Sequence, residues 1–276
     1  MIRFNLIDTS FIHHKSVGLP DYSVAGKYSK YMFWDRNQTT ENITFLTNEK
    51  CLVSTNLDKK NRFGFLFESQ SIIPQVYKEI ENKIDDFQKV FTHSSYLINK
   101  FENCLWIPGG GIWVGGKYGL GEIKIYDKTK VCSIVTSNKK LCDLHKFRLE
   151  VTNYIRQNNL DVTIFGLSSW TPIIDSLKDF MFSIIIENFV DELYFTEKIL
   201  NCFATGVVPI YFGAKKITTK FNKNGIITFS TLNELEEIIK NLNAELYFSK
   251  MEAIKENFEK CQQYNLIEDY IYKNYF

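Results

Sequence analysis

The stretch from Phe182 to Gly213 constrains the fold of this chain more than any other. It opens with a largely apolar, β-branched run, residues 182–186, which is too short for a helix and predicts a buried parallel strand. After a polar loop, Thr196 can cap a helix that Gly206 ends, and a second strand pattern follows. This order of strand, loop, helix and strand predicts one unit of a parallel α/β sheet.

Polar residues of this stretch lie where such a sheet binds ligands. Glu187 and Asn188 come directly after the first strand, and Glu197 and Lys198 fall in the first turn of the helix. Ligands sit beyond the carboxyl ends of parallel strands, and a helix N-terminus attracts phosphate through its free amides and its dipole. Because the dipole disfavours a lysine there, a bound diphosphate would explain Lys198. The stretch therefore predicts a nucleotide site.

Short strand patterns alternate with polar or helical segments through the first hundred residues or so. A helix is predicted from Pro74 to Ile84, because Val76, Ile80 and Ile84 recur at helical spacing. The predicted strands are 2–7, 43–46, 51–54, 63–67, 87–91 and 104–107.

The alternation becomes regular after residue 130. Strands 131–136 and 161–165 and helices 143–157 and 173–180 lead into the 182–213 stretch. Glycine-rich segments between 109 and 121 lack periodicity and let the chain change direction.

These patterns predict an α/β chain of two facing Rossmann-like domains with a cleft between them. We place the N-terminal domain at 1–122 and the C-terminal domain at 123–276, with the last helix crossing back.

Charge and cysteine usage exclude several classes of protein. With 33 basic and 32 acidic residues the net charge is +1, so no general field attracts nucleic acid or an anionic membrane. No window reaches ~18 apolar residues and no signal-peptide pattern begins the chain, which predicts a cytoplasmic protein without a transmembrane segment. Six cysteines without a Cys-x-x-Cys pair indicate reduced thiols rather than disulfides or a zinc site.

Eight positions of the 182–213 stretch form a specific pattern: Glu187, Asn188, Tyr194, Thr196, Glu197, Lys198, Pro209 and Gly213. This pattern resembles the donor-binding motif of family 10 glycosyltransferases, the α1,3/α1,4-fucosyltransferases, with Leu193 where members usually have Asp. The resemblance implies the GT-B fold, with an N-terminal acceptor domain and a C-terminal nucleotide-sugar domain. It also assigns Glu197 to the nucleotide ribose, and Asn188 and Tyr194 to the donor pocket.

Glu68 ends the strand pattern 63–67 as Glu187 ends its own. The surrounding residues, FLFESQSIIPQ and then VFTHSS, resemble the acceptor domain of the same family, in which Glu68 matches the catalytic base. Gln70 replaces the usual Pro, and His93 with Ser94 replaces Tyr-Arg, so the resemblance implies an acceptor pocket unlike that of the animal enzymes. The alternative is a solvated glutamate at a strand end.

Arg148 lies in VCSIVTSNKKLCDLHKFRLEV, where a strand passes through a loop into a helix. This layout resembles the part of the family that carries a phosphate-contacting arginine. Arginine suits the role because its planar fork can hold two phosphate oxygens and stays charged. Lys139 and His145 remain alternatives for the same role, as does a solvated basic helix face.

The sequence thus predicts an inverting glycosyltransferase that moves a sugar to a hydroxyl of a glycan acceptor. The resemblance makes the donor GDP-fucose, whereas the residues alone indicate a nucleoside diphosphate sugar. Glu68 would be the base, and Arg148, Lys198 and the helix beginning at Thr196 would stabilise the departing diphosphate. Because the chain has no Asp-x-Asp triplet, we expect no metal cofactor. Two alternatives remain: a related transferase with another nucleotide sugar, and a non-catalytic nucleotide- or carbohydrate-binding module.

Overall fold

Two parallel sheets follow one another along the chain in a computed structural model that describes residues 2–8, 29–36, 43–167 and 169–276. In the first sheet the strands lie in the order β2-β1-β3-β4-β5-β6. They are β1 Ile2–Ile7, β2 Met32–Asp35, β3 Thr44–Thr47, β4 Arg62–Leu66, β5 Lys89–Thr92 and β6 Cys104–Trp106. Its helices are α1 Pro74–Ile80 and α2 Ser95–Lys100.

The second sheet has the order β11-β10-β9-β7-β8. Its strands are β7 Lys130–Val135, β8 Thr163–Phe165, β9 Phe180–Ile186, β10 Val208–Phe212 and β11 Ile227–Thr228. The helices of this part are α3 Asp143–Gln157, α4 Glu197–Ala204, α5 Leu232–Lys240, α6 Ala244–Ser249, α7 Met251–Cys261 and α8 Ile267–Tyr275. Among the described residues every strand pairing is parallel, so the α/β prediction is confirmed.

Two predicted elements are wrong. Residues 51–54 are not a strand, because a 3-10 helix spans Asn48–Leu52 and its Cys51 packs beneath α1. Residues 173–180 are not an α-helix: a 3-10 turn covers only Ile173–Ser176, and Phe180 already pairs with Lys130 in the sheet. The helix predicted over 74–84 also tightens into a 3-10 helix from Glu81. The sequence patterns did not predict strand β2.

The two sheets share a hydrophobic core. One cluster includes Phe45 and Phe91 from the first sheet together with Ile199 and Phe203 from α4. Helix α8 packs back on the first sheet, where the hydroxyl of Tyr275 donates to the carbonyl of Trp106. The predicted boundary at residue 122 falls in the connection between β6 and β7.

The six cysteines are free and buried. Within the described ranges, no helix has the length and apolar character needed to cross a membrane.

Candidate functional site

Strand β9 and helix α4 are joined by a buried carboxylate. Thr196 is the N-cap of α4, and its hydroxyl oxygen accepts from the amide of Lys198 at 3.3 Å. Glu187, at the end of β9, is fully buried and accepts from the amide of Thr196 at 3.0 Å and from its hydroxyl at 2.8 Å. Glu187 therefore fixes the start of α4 from behind.

Lys198 carries the positive charge of this helix end. Its Nζ lies 3.0 Å from the hydroxyl of Thr196, 3.1 Å from a Glu197 oxygen and 3.4 Å from a Glu187 oxygen. Burial opposes the charge, but Glu197 and Glu187 outweigh it, so the pKa of Lys198 is raised. Its side chain is 27% exposed, so its neighbours cover it only in part.

Arg148 enters the same region from α3. Its guanidinium donates to the carbonyl of Ile186 at 2.7 Å, and the residue is 9% exposed. Burial lowers the pKa of Arg148, whereas Glu187 and Glu197 oppose that shift. The end of β9 thus orients an arginine beside Lys198.

A cavity of about 500 Å³ opens in front of these groups. Arg148, Glu197 and Lys198 line one part of it. Aromatic residues also line it: Trp113, Tyr118 and the 64% exposed Trp170. The sequence reasoning missed these rings, although Trp113 and Tyr118 stand in the glycine-rich region that marked the break between domains. Cavities of this size, with few polar groups and several rings, suit a nucleotide-sized ligand.

Glu187, Asn188, Tyr194 and Thr196 lie behind or beside the cavity rather than on its lining. The hydroxyl of Tyr194 donates to the side-chain oxygen of Asn188 at 2.7 Å, and Tyr194 is buried. Burial holds the pKa of Tyr194 well above its usual value, so its phenol stays neutral. These residues shape the loop that leads into α4.

The loop between β9 and α4 is held by the N-terminal part of the chain. The hydroxyl of Ser71 donates to the carbonyl of Asn188 at 2.7 Å. The amide of Ser95 donates to a carboxylate oxygen of Asp191 at 3.0 Å, and the indole of Trp106 donates to the carbonyl of Leu193 at 3.2 Å. Both sheets therefore position the first turn of α4.

The three glycines at 109–111 pack directly against that turn. The amide of Gly109 donates to the carbonyl of Phe195 at 2.8 Å. A Cβ on Gly110 would lie 3.0 Å from the amide nitrogen of Glu197. Only glycine lets the two backbones approach this closely, so the segment is a packing turn against α4.

Glu68 follows β4 of the first sheet. The side-chain oxygen of Asn48 accepts from the amide of Glu68 at 3.2 Å, and the carbonyl of Glu68 accepts from Tyr77 at 2.8 Å, which fixes its backbone. Its carboxyl group makes no hydrogen bond or ion pair with any residue in the described ranges. Burial and the charge of Glu197 raise the pKa of Glu68, whereas Lys198 and Lys139 oppose that shift. This carboxylate is therefore unpaired and within electrostatic reach of α4.

His93 is a buried neutral ring. Its Nε2 lies 3.1 Å from the hydroxyl of Tyr77, and its ring centroid is 4.4 Å from that of Tyr194. Burial lowers the pKa of His93 to about 3, although Asp191 opposes the shift. His93 thus connects the segment of Glu68 to the loop between β9 and α4 by packing.

Two parallel α/β sheets in succession, with a cationic helix end beside an aromatic cavity, are an arrangement that fits glycosyltransferases of the GT-B class. The chain belongs to glycosyltransferase family 10: the sequence profile described as Glycosyltransferase family 10 (fucosyltransferase) C-term matches residues 125–271, more than half of its length. No curated protein sequence matches it.

Solved structures share this fold at low sequence identity. An α1,3-fucosyltransferase aligns with a TM-score of 0.55 and 15% identity over 94% of this chain and 80% of its own. An α1,3-fucosyltransferase with GDP-fucose gives 0.53 and 14%, over 100% and 91% of the respective chains. TarM of S. aureus gives 0.54 and 16%, over 83% of this chain and 54% of its own. The GT-B prediction is therefore confirmed.

Proposed function

We propose that the protein is an inverting fucosyltransferase that moves fucose from GDP-fucose to a hydroxyl of a glycan acceptor. The observation that carries this proposal is the half-buried carboxyl of Glu68, which pairs with no described residue. The charges of Glu197 and Lys198 at the start of α4 both affect its pKa. An acceptor hydroxyl beside Glu68 would face a donor held at α4.

The cavity favours a nucleoside diphosphate sugar as donor. Arg148 and Lys198 supply the charge for a diphosphate, while Trp113, Tyr118 and Trp170 supply flat apolar surface for a nucleobase. A similar α1,3-fucosyltransferase has been solved with GDP and with GDP-fucose, which favours guanine and fucose.

The proposed reaction is a single displacement. Glu68 removes the proton of the acceptor hydroxyl while that oxygen attacks the anomeric carbon. The bond from this carbon to the diphosphate oxygen breaks, and its electron pair leaves on the diphosphate. Arg148, Lys198 and the dipole of α4 stabilise the developing charge. Attack opposite to the leaving group inverts the anomeric configuration.

The raised pKa of Glu68 suits this task, because a general base works best when its pKa lies nearer the working pH. The proposal includes no metal cofactor. The two cationic side chains and the helix dipole supply the charge that a bound metal contributes in other transferases.

Calorimetry tests the proposal by titrating the protein with GDP, UDP, ADP and GDP-fucose. We expect GDP and GDP-fucose to bind and GDP-fucose to be hydrolysed or transferred slowly. Preference for another nucleoside diphosphate would support the second candidate, a related transferase with a different donor. Binding of GDP-fucose without any release of GDP would indicate a non-catalytic module, and absence of all nucleotide binding would contradict the proposal.

A further inference from the structure

We propose that His145 is a further diphosphate-binding residue, which takes up a proton when the donor binds. This inference rests on the proposed function, because it requires a nucleoside diphosphate sugar in the cavity beside Arg148. In this inference the buried imidazole of His145 contacts the departing diphosphate. Its protonation makes donor affinity depend on pH.

The position of His145 supports this role. It lies in the first turn of α3, three residues before Arg148, so both side chains project from the same face of the helix. His145 is 8% exposed, and its Nδ1 is buried without a partner. No residue in the described ranges forms a hydrogen bond with its ring. Because buried polar groups are nearly always bonded, such an imidazole calls for a partner that the described part of the chain does not supply.

The charges around His145 indicate what that partner is. Three positive charges disfavour a proton on its ring: those of Arg148 on the same helix, Lys198 on α4 and Lys139 in the loop before α3. On its own helix, Asp143 and Lys146 are exposed and pair with each other at 3.0 Å. Glu187 and Glu197 lie beside Arg148 and Lys198, but the charges that act on the His145 ring itself are all positive, which favours an anion as its partner.

The same surroundings keep His145 neutral in the free protein. Burial, followed by Arg148, Lys198 and Lys139, lowers its pKa to about 4. A bound diphosphate would cancel much of this repulsion and favour the imidazolium, which can donate a hydrogen bond to a phosphate oxygen. Since the pKa in the complex would then exceed that of the free protein, donor affinity would rise as pH falls through the higher value.

Calorimetry of GDP-fucose binding between pH 5 and 8 tests this directly. The diphosphate of a nucleotide sugar is a diester that does not titrate in this range, so changes in affinity come from the protein. The titrations use the Glu68→Gln background, because that carboxyl could also take up a proton and because slow hydrolysis would disturb the heats. Two buffers of different ionisation enthalpy give the number of protons bound.

We expect proton uptake at the acidic end, with affinity tightening by up to about tenfold for each pH unit below the pKa that His145 reaches in the complex. Adding His145→Gln should abolish both effects, whereas Lys146→Gln on the outer face of the same helix should change neither. Equal pH dependence and proton uptake with and without His145 would overturn the inference. The number of protons taken up is measured on protein that retains His145, so this part of the test does not require the His145→Gln variant to fold. If GDP-fucose binds without proton uptake the inference alone fails, and if no nucleotide sugar binds the proposed function fails as well.

Discussion

Glu187 and Glu68 end strands at the cleft edges of the two sheets, yet only Glu68 is available to a substrate. Glu187 is buried, and Thr196 and Lys198 occupy its oxygens. Burial and Glu197 raise its pKa, while Lys198 and the hydrogen bonds from Thr196 oppose that shift. Because a satisfied buried carboxylate cannot turn toward a ligand without leaving donors unpaired, Glu187 positions α4. Glu68 keeps its oxygens unpaired.

Replacing either cation of the cavity should weaken donor binding. We expect Lys198→Ala and Arg148→Ala each to reduce GDP affinity by roughly 1.5–3 kcal/mol, the worth of a charge-assisted hydrogen bond. Lys146→Ala, on the exposed face of α3, is the matched control and should bind GDP as the unmodified protein does. Calorimetry measures all three, and unchanged affinity in both cavity variants would place the diphosphate elsewhere.

Helix α4 shows how a short element becomes a binding site. It has eight residues, so packing rather than intrinsic propensity must hold its first turn. Glu187 holds that turn from the sheet, the glycines at 109–111 lie against it, and Gly206 ends the helix region with a φ of +74°. The geometry of this first turn thus depends on contacts from distant parts of the chain.

Gly110→Ala should therefore weaken donor binding although Gly110 carries no side chain. The new Cβ would stand 3.0 Å from the amide nitrogen of Glu197 and 3.1 Å from its carboxylate, so the first turn must shift. We expect a loss of about 1–2 kcal/mol, or roughly 5–30-fold, in GDP affinity.

Gly64→Ala is the control, because its Cβ would press on Val90 at 3.2 Å inside the first sheet. It should lower the free energy of unfolding in urea without changing GDP affinity. If the two variants affected binding equally, the effect of Gly110 would reflect general destabilisation instead of its contact with α4.

Sequence patterns predicted the helices and strands whose signals lie close together along the chain. The helix over 143–157 was predicted with its bounds, and the Thr196 cap was found from its residue type. The 3-10 turn at 173–176 was not predicted, because its apolar residues belong to a loop that packs against β7 and not to one face of a helix.

At the site, sequence reasoning identified Arg148, Glu197 and Lys198 as donor-binding candidates, and the structure brings them to one cavity. It could not find the contacts of Ser71 and Ser95 with the loop between β9 and α4, because the two partners of each contact are separated by about a hundred residues. It also missed Trp170. Only the folded chain brings these together.

The whole molecule is organised around the loop that joins β9 to α4. Ser71, Ser95, Trp106 and Gly109 hold this loop from the N-terminal part, while Glu187 holds it from the second sheet. Helix α8 adds a further connection by packing on the first sheet. These contacts set the distance between the proposed base and the proposed donor site.

Activity should not require a divalent metal, because the charge for the departing diphosphate comes from Arg148, Lys198 and the α4 dipole. We expect the rate of GDP release from GDP-fucose to stay within about twofold after treatment with EDTA. Loss of activity in EDTA that manganese restores would show instead that carboxylates near the cleft hold an ion during the reaction.

The central claim is that Glu68 is the base acting across the cleft on a donor bound at α4, and Glu68→Gln tests it most directly. The measurement compares GDP-fucose affinity with the rate of GDP release, with Glu79→Gln on the exposed face of α1 as control. Because Gln keeps the shape but cannot accept the proton, we predict unchanged folding and affinity and a rate lower by about 10²–10⁴-fold. The acidic limb of the rate profile, which the raised pKa of Glu68 moves to higher pH, should disappear. A folded Glu68→Gln protein with a near-normal rate would contradict the account.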